Sequence, residues 1–237
     1  MNFLKTILLF IPLVLLLSNC EPKDSDPDYK EFEYNFHTGT DDWEVLFADY
    51  PQGQEEFYEL EYKWSKLPMP LDTNLGSVMI SGNNHSDDLL SCMYKHVTGL
   101  IPNAIYDVTF TLFIASNVAK NSVGAGGSPD LALGVGGLDT VPSSFIDGEG
   151  YYRPSFEVEL QSGLSNENMQ VVGTLGVTET TTQYAPITRT NGENPFKITS
   201  NADGECFLMI GLDSGFEGIT TIYIKSIFIT MEFVAKP

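Results

Sequence analysis

Basic residues are scarce in this sequence. The 12 Lys and Arg stand against 32 Asp and Glu, which gives a formal net charge of −20. Proteins that bind nucleic acid or anionic lipid surfaces concentrate positive charge at the contact. Because this chain would repel both, we predict no nucleic-acid partner, whereas a bound cation is compatible with the charge.

Histidine and cysteine are also few, with three of each. His37, His85 and His96 are too scattered to form the spaced clusters that hold zinc and other transition metals. Cys92 and Cys206 each lie in an apolar, strand-like run. Two alternatives therefore remain open for them, a disulfide between the two or a pair of buried free thiols.

The longest apolar run is N-terminal and short. Residues 7–17 fall below the ~20 residues that span a bilayer, and Lys5 precedes them, so residues 1–19 are predicted to be a signal peptide. The sequence from Leu17 to Cys20 resembles a bacterial lipobox, which implies that Cys20 carries acyl chains and that the membrane is a partner through this lipid anchor. Residues 20–30 read as an acidic tether. The expected location is the cell envelope, at the outer membrane, with surface exposure as one alternative.

No stretch keeps helical periodicity over three turns, and alternation of apolar and polar residues recurs instead. In residues 105–116, Tyr106, Val108 and Phe110 fall on one face while Asp107 and Thr109 fall on the other. About a dozen such segments occur, at residues 32–37, 43–48, 57–64, 77–81, 89–97, 105–116, 130–136, 155–160, 169–177, 195–200, 206–212 and 220–233. We predict an all-β fold, a single antiparallel β-sandwich of jelly-roll type with little or no helix, over residues 31–237.

Several stretches resemble known β-sandwich proteins. The Leu100-x-Pro102-x-x-x-Tyr106 pattern is similar to the corner of fibronectin-type-III-like and jelly-roll modules. The stretches "LFADYP", "SGNNHSDDL", "FIASN", "GAGGSP" and "DSGFEGITTIYI" together resemble a family of uncharacterised bacterial secreted proteins and lipoproteins. The ends of the domain are similar to jelly-roll carbohydrate-binding modules, although Lys225 replaces an acid that can help to hold calcium there. The resemblance implies an architecture and no reaction.

Catalytic arrangements are missing from the sequence. His85, Ser86 and Asp87 are adjacent, and adjacency in an extended loop points side chains apart. Residues 211–215 lack the spacing of a nucleophile elbow. With 32 acidic residues, some carboxylate pair will always fit a glycosidase, so the count decides nothing. We therefore name no catalytic residue and expect a protein that is not an enzyme.

Two loops rich in Asn and Asp are candidates for calcium, the one cofactor that the sequence leaves open. Calcium binds carboxylate, amide and carbonyl oxygens supplied by loops. The alternative is that these side chains only cap turns and satisfy the loop backbone. The candidate ligands are Asn83, Asn84, Asp87, Asp88, Asp213 and Glu217.

Aromatic and polar residues near loops suggest a binding role. Glycan sites use aromatic platforms, and the candidate residues for ligand contact are His85, Tyr151, Tyr152 and Trp43. The leading prediction is a non-catalytic binding or adhesion module with glycan as the ligand class. The alternatives are a structural or assembly lipoprotein with an envelope protein as its partner, and then a hydrolase.

Overall fold

The computed structural model of the protein describes residues 26–178, 180 and 183–236. These residues form strands and one short 3-10 turn, Leu160–Ser162, without an α-helix. The predicted lipid-attachment residue, Cys20, lies outside them. In the part of the chain that the structure describes, no helix has the length and apolar character needed to cross a membrane.

The strands follow one another along the chain. They are β1 (Tyr29–Tyr34), β2 (Glu44–Ala48), β3 (Tyr50–Pro51), β4 (Glu61–Lys66), β5 (Gly76–Asn83), β6 (Leu90–Val97), β7 (Ile105–Ser116), β8 (Ala132–Leu138), β9 (Ser144–Ile146), β10 (Tyr151–Pro154), β11 (Met169–Thr174), β12 (Ala185–Thr190), β13 (Phe196–Thr199), β14 (Cys206–Asp213) and β15 (Ile219–Ala235). All strand pairs are antiparallel. The predicted all-β sandwich is confirmed.

The larger of the two packed sheets has seven strands, with β15 at its centre. Its order is β12-β7-β15-β5-β4, while β1 pairs with β15 and β13 pairs with β7. In β7 the residues from Tyr106 to Ile114 at every second position are buried, as the alternation of the sequence predicts. The Tyr106 hydroxyl accepts a hydrogen bond from the Ile101 N–H and donates one to the Pro27 carbonyl.

The second sheet has the order β11-β8-β14-β6-β2. All eight residues of β14 are buried, because each of its faces is covered. One face packs into the main core between the sheets. The other packs under Leu160 and Met169, in a second cluster with Leu90 and Met209. This second cluster fixes the 3-10 turn on the outside of the sheet.

Cys92 and Cys206 are free thiols, and both are buried. Cys206 pairs with Val97 in the register, whereas Cys92 pairs with Gly211, five positions further along β14. At about 3.4 Å per residue, this offset is about 17 Å, and a disulfide needs Cα atoms within ~7 Å. Of the two alternatives left open by the sequence, the disulfide is therefore wrong.

A small third sheet, β3-β10-β9, stands at one end of the sandwich. Its register pairs Tyr152 with Tyr50 and with Ile146. The N–H of Asp49 donates to the Tyr152 carbonyl at 2.7 Å, which joins this sheet to the end of β2. Arg153 on β10 thereby faces the ends of the five-stranded sheet.

Candidate functional site

Three aspartates meet at one edge of the five-stranded sheet. The register aligns Ala48 of β2, Leu90 of β6 and Asp213 of β14 in a single row across three neighbouring strands. Asp49 directly follows Ala48, and Asp88 lies two residues before Leu90. The sheet therefore brings together residues that are up to 164 positions apart in the chain.

We call Asp49, Asp88 and Asp213 the carboxylate cluster. Each offers an oxygen, and these three oxygens all lie within 4.8 Å of one another. Asp213 is 6% exposed and Asp49 9% exposed, whereas Asp88 is partly open to solvent. Burial of ionised carboxylates is costly unless they are paired with cations or hydrogen-bond donors.

In the described part of the chain, Arg153 is the cation that contacts this cluster. Its Nη1 lies 2.9 Å from Asp49 Oδ1 and 3.8 Å from Asp88 Oδ2, while its Nε lies 2.9 Å from Asp147 Oδ2. The hydrogen bonds that Arg153 donates to Asp49 and Asp147 raise the pKa of Arg153, so the guanidinium stays charged. One positive charge is thus shared among three acids, and its short contacts go to two of them.

Asp213 is buried, and the polar neighbours of its side chain are the Gln161 N–H and the Asp88 carboxyl. Its Oδ2 accepts a hydrogen bond from the Gln161 N–H at 3.3 Å. Its Oδ1 is buried and, among the described residues, has no hydrogen-bond partner. Burial raises the pKa of Asp213. Burial, followed by the charges of Asp49 and Asp213, raises the pKa of Asp88 to about 8.

Asn83 and Asn84 use their side-chain amides within the protein. The Asn84 side chain is buried and donates to the Ser214 carbonyl at 2.6 Å, while its Oδ1 accepts from the Ser86 N–H. The Asn83 side chain donates to Glu59 Oε1 at 2.9 Å. The contacts of Asn84 match the turn-capping alternative, whereas Asn83 contacts the Glu59 side chain and not the loop backbone.

Asp87 and Glu217 meet at a different place, over Gly126. A Cβ built on Gly126 would lie 2.5 Å from Asp87 Oδ1 and 2.9 Å from Glu217 Cγ, and it would also overlap the Gly215 carbonyl. The Glu217 N–H donates to the Ala125 carbonyl at 2.9 Å. The loops 84–89, 124–130 and 213–218 therefore converge. Of the six residues predicted as calcium ligands, Asp88 and Asp213 lie in the carboxylate cluster.

A groove of about 560 Å³ opens beside these loops, and we call it the polar groove. Gln161 connects its wall to the loops, since its side chain donates to the Asp87 carbonyl and its N–H donates to Asp213. Residues with small or polar side chains form most of the lining, among them Gly126, Ser128, Asp130, Gln161, Asp213 and Gly215. Asp213 thus belongs both to the carboxylate cluster and to the groove.

A chain of aromatic rings runs along the other side of the 84–89 loop, and we call it the aromatic ridge. Tyr152 and Tyr50 have ring centroids 5.1 Å apart, Tyr50 and Tyr58 5.6 Å, and Tyr58 and His85 5.4 Å. The ridge ends at Phe57, which stacks on His85 at 4.1 Å with an interplanar angle of 24°. Phe57 is 58% exposed, and His85 is exposed as well.

The predicted ligand-contact residues are divided by this geometry. His85 and Tyr152 are in the aromatic ridge. Tyr151 is half-buried, with the Arg153 guanidinium 4.9 Å from its ring centre. Trp43 is 2% exposed and packs edge-on against Tyr34 in the main core, so it has no free face for a ligand. Trp43 lies in the core because it directly precedes β2, whose position in the sheet fixes it there.

Two features of this site were not found from the sequence. Asp49 is a lone acid between apolar residues, and Phe57 fell in a segment that was predicted as a strand from residue 57, although β4 begins at Glu61. In the structure Asp49 has a φ of 65° at the junction of β2 and β3, a conformation that a non-Gly residue rarely adopts. Asp residues tolerate this conformation better than most.

Comparisons with known proteins return only distant structural similarities. No family model and no curated protein matches the chain. Among solved structures, the K1 cleaved adhesin domain of Lys-gingipain from Porphyromonas gingivalis is similar at 11% identity and a TM-score of 0.40, over 84% of this chain and 97% of that one. The carbohydrate-binding module TmCBM27, studied in mannan recognition, has 11% identity and a TM-score of 0.37 over 85% and 97%. The lectin UEA-II, complexed with galactose, has 10% identity and a TM-score of 0.35 over 86% and 98%. With every TM-score below 0.5, these similarities carry no information on the ligand of this chain.

Proposed function

We propose that the protein is a lipid-anchored envelope protein whose β-sandwich binds glycans without a catalytic step. The observation that carries the proposal is the exposed ring pair of Phe57 and His85 at the end of the aromatic ridge. Sugar rings present flat C–H faces, and an exposed aromatic ring gives them a stacking surface of matching size. The ridge supports the pair from below, so the platform is held in place before a ligand arrives.

Hydroxyl groups of a bound sugar need polar partners, and the polar loops supply them nearby. Ser86 follows His85 directly, and its hydroxyl donates to the Asp88 carbonyl at 3.1 Å. Across the same loop lies the polar groove with Gln161 and Ser128. A glycan that stacks on Phe57 and His85 would reach amide, hydroxyl and carbonyl groups of this kind.

The charge of the protein favours one class of glycan. The formal net charge of the protein, −20, repels polysaccharides that carry carboxylate or sulfate groups. A neutral oligosaccharide or polysaccharide is therefore the proposed ligand class.

The decisive experiment is binding of neutral polysaccharides to the purified full chain, measured by affinity electrophoresis and then by calorimetry. We expect Phe57→Ala and His85→Ala to weaken binding about 10-fold each, as the loss of an aromatic contact predicts. Phe113→Ala is the matched control, because Phe113 is 41% exposed on β7, in the seven-stranded sheet. Unchanged affinity in both ridge variants would overturn the proposal.

The same purified protein also tests the two alternative functions, a hydrolase and an assembly lipoprotein. Release of reducing sugar that disappears in Asp88→Asn would replace the binding function with a hydrolase. Recovery of a stoichiometric envelope protein together with silence toward all polysaccharides would favour an assembly role.

The proposed lipid anchor is attached to Cys20, and a separate experiment tests this attachment. Incorporation of labelled palmitate into the wild-type chain and its loss in Cys20→Ala would support lipid attachment. Equal labelling of both chains would contradict it.

A further inference from the structure

The carboxylate cluster holds more negative charge than its surroundings neutralise. Among the described residues, Arg153 is the only cation paired with Asp49, Asp88 and Asp147, and Asp213 lies beside Asp49 and Asp88. The short contacts of Arg153 are to Asp49 and Asp147, and Asp213 has no ion pair among the described residues. With all four carboxylates ionised, the four acids and Arg153 carry a net charge of −3, and a bound divalent cation changes this charge to −1.

A second observation points to a ligand at the same place. Asp213 is 94% buried, and its Oδ1 lacks any hydrogen-bond partner in the described part of the chain. A buried carboxylate oxygen without a partner destabilises the fold when it is charged. A cation in contact with this oxygen would remove this destabilisation.

The spacing of the oxygens fits calcium. Calcium–oxygen distances are about 2.3–2.6 Å, so two oxygens on opposite sides of one ion are about 4.6–5.2 Å apart. The three cluster oxygens lie within 4.8 Å of one another, so a shift of at most a few tenths of an ångström brings all three into contact with one ion. Magnesium, at about 2.0–2.1 Å, requires a tighter octahedral arrangement.

The chemistry of the donors agrees with the spacing. The cluster contains only carboxylates, with no His or Cys, and hard oxygen donors favour calcium over zinc or copper. Asp88 is partly open to solvent and Asp213 lines the polar groove, so an ion has a route to the cluster.

We propose that Asp49, Asp88 and Asp213 bind one calcium ion, which cross-links the ends of β2, β6 and β14 beside the polar groove. The site differs from the position of Lys225, which is in β15 of the other sheet. The calcium proposal is independent of the glycan proposal, because the proposed calcium ligands belong to the carboxylate cluster and the proposed glycan platform belongs to the aromatic ridge.

Calcium titration of the chelator-treated full chain tests the proposal. We expect calorimetry to give one site per chain, and calcium at one hundred times its Kd to raise the Tm by at least about 5 °C. Asp213→Asn and Asp88→Asn should lose both the heat and the Tm shift. Asp203→Asn should keep both, because Asp203 is an exposed acid just before the opposite end of β14.

Two results would overturn the calcium site. One is a wild-type Tm shift below about 1 °C with no heat of binding. The other is an Asp203→Asn variant that loses as much as Asp213→Asn. If the Asp213→Asn variant does not fold, the Asp88→Asn variant decides the test, because the Asp88 side chain is partly exposed. Glycan binding in chelator is measured separately, so either proposal can fail alone.

Discussion

Arg153 and Asp49 are 104 residues apart in the chain, and their side chains make a direct hydrogen bond of 2.9 Å. The bond ties the small third sheet to the end of β2, while the Nε of the same guanidinium holds Asp147. The planar, forked geometry of the guanidinium is what allows one side chain to serve both acids.

Replacing Arg153 by Lys should therefore destabilise the fold even though the charge is kept. An ammonium donates from one nitrogen and cannot reproduce the separate contacts of Nη1 with Asp49 and of Nε with Asp147, so we expect a loss of about 1–3 kcal/mol in the free energy of unfolding. Urea denaturation measures it. The control is Lys63→Ala, which removes an exposed ion pair with Glu61 and should cost under about 1 kcal/mol. Equal losses in the two variants would show that the Arg153 bridge has no special role.

We expect the packing of Leu160 in the second cluster to hold the neighbouring Gln161 in place at the site. Leu160 is 1% exposed beneath the 3-10 turn, directly before Gln161, which contacts Asp213. Leu160→Ala should cost about 2–5 kcal/mol in urea denaturation, as is typical of a cavity in a core. Leu164→Ala removes the same atoms from a side chain that is 55% exposed, and it should change stability by less than about 0.5 kcal/mol. A Leu160 variant as stable as the wild type would mean that the second cluster is loosely packed.

Gly126 should tolerate no side chain. Its φ is +70°, and an added Cβ would meet Asp87 and the Gly215 carbonyl. We expect Gly126→Ala to cost about 1–3 kcal/mol and to weaken binding in the polar groove. Gly148→Ala is the control, because nothing lies within 4 Å of a Cβ there and its φ is not positive. Thermal unfolding and polysaccharide affinity report on both, and a silent Gly126→Ala variant would contradict the convergence of the loops.

The two buried cysteines should be unreactive in the folded protein. Burial raises the pKa of the Cys92 and Cys206 thiols from 9.0 to about 12. In a Cys20→Ala chain at pH 8, labelling by a thiol reagent should be at least about 100-fold slower than in denaturant. Two thiols should react after unfolding. Because unfolded thiols ionise near pH 9 and folded ones near 12, the free energy of unfolding should fall as the pH rises above about 9. Rapid labelling at pH 8 without denaturant would contradict this burial.

The sequence predicted the fold from local patterns. The alternation from Tyr106 to Ile114 placed β7 correctly, because a strand with one buried face has a period of two. The Leu100–Tyr106 corner is present, with the Tyr106 hydroxyl bonded to the Ile101 N–H.

The candidate site could be predicted only in part. Asp88 and Asp213 were visible because loops rich in Asn and Asp suggest oxygen ligands. Asp49 was not visible, because its place depends on the register that aligns Ala48, Leu90 and Asp213, and register between distant strands is not encoded locally. Phe57 was assigned to a strand, whereas it lies in the turn before β4 and stacks on His85.

The position of β15 has a consequence for incomplete chains. It is the last strand of the described residues, yet it pairs with β1, β5 and β7 and so holds the middle of the seven-stranded sheet. A chain interrupted before Ile219 would leave β5 and β7 as two long strands with unpaired backbone edges. Such edges pair readily with other chains. Truncated products of this protein should therefore aggregate, even though they would retain every residue of the carboxylate cluster and the aromatic ridge.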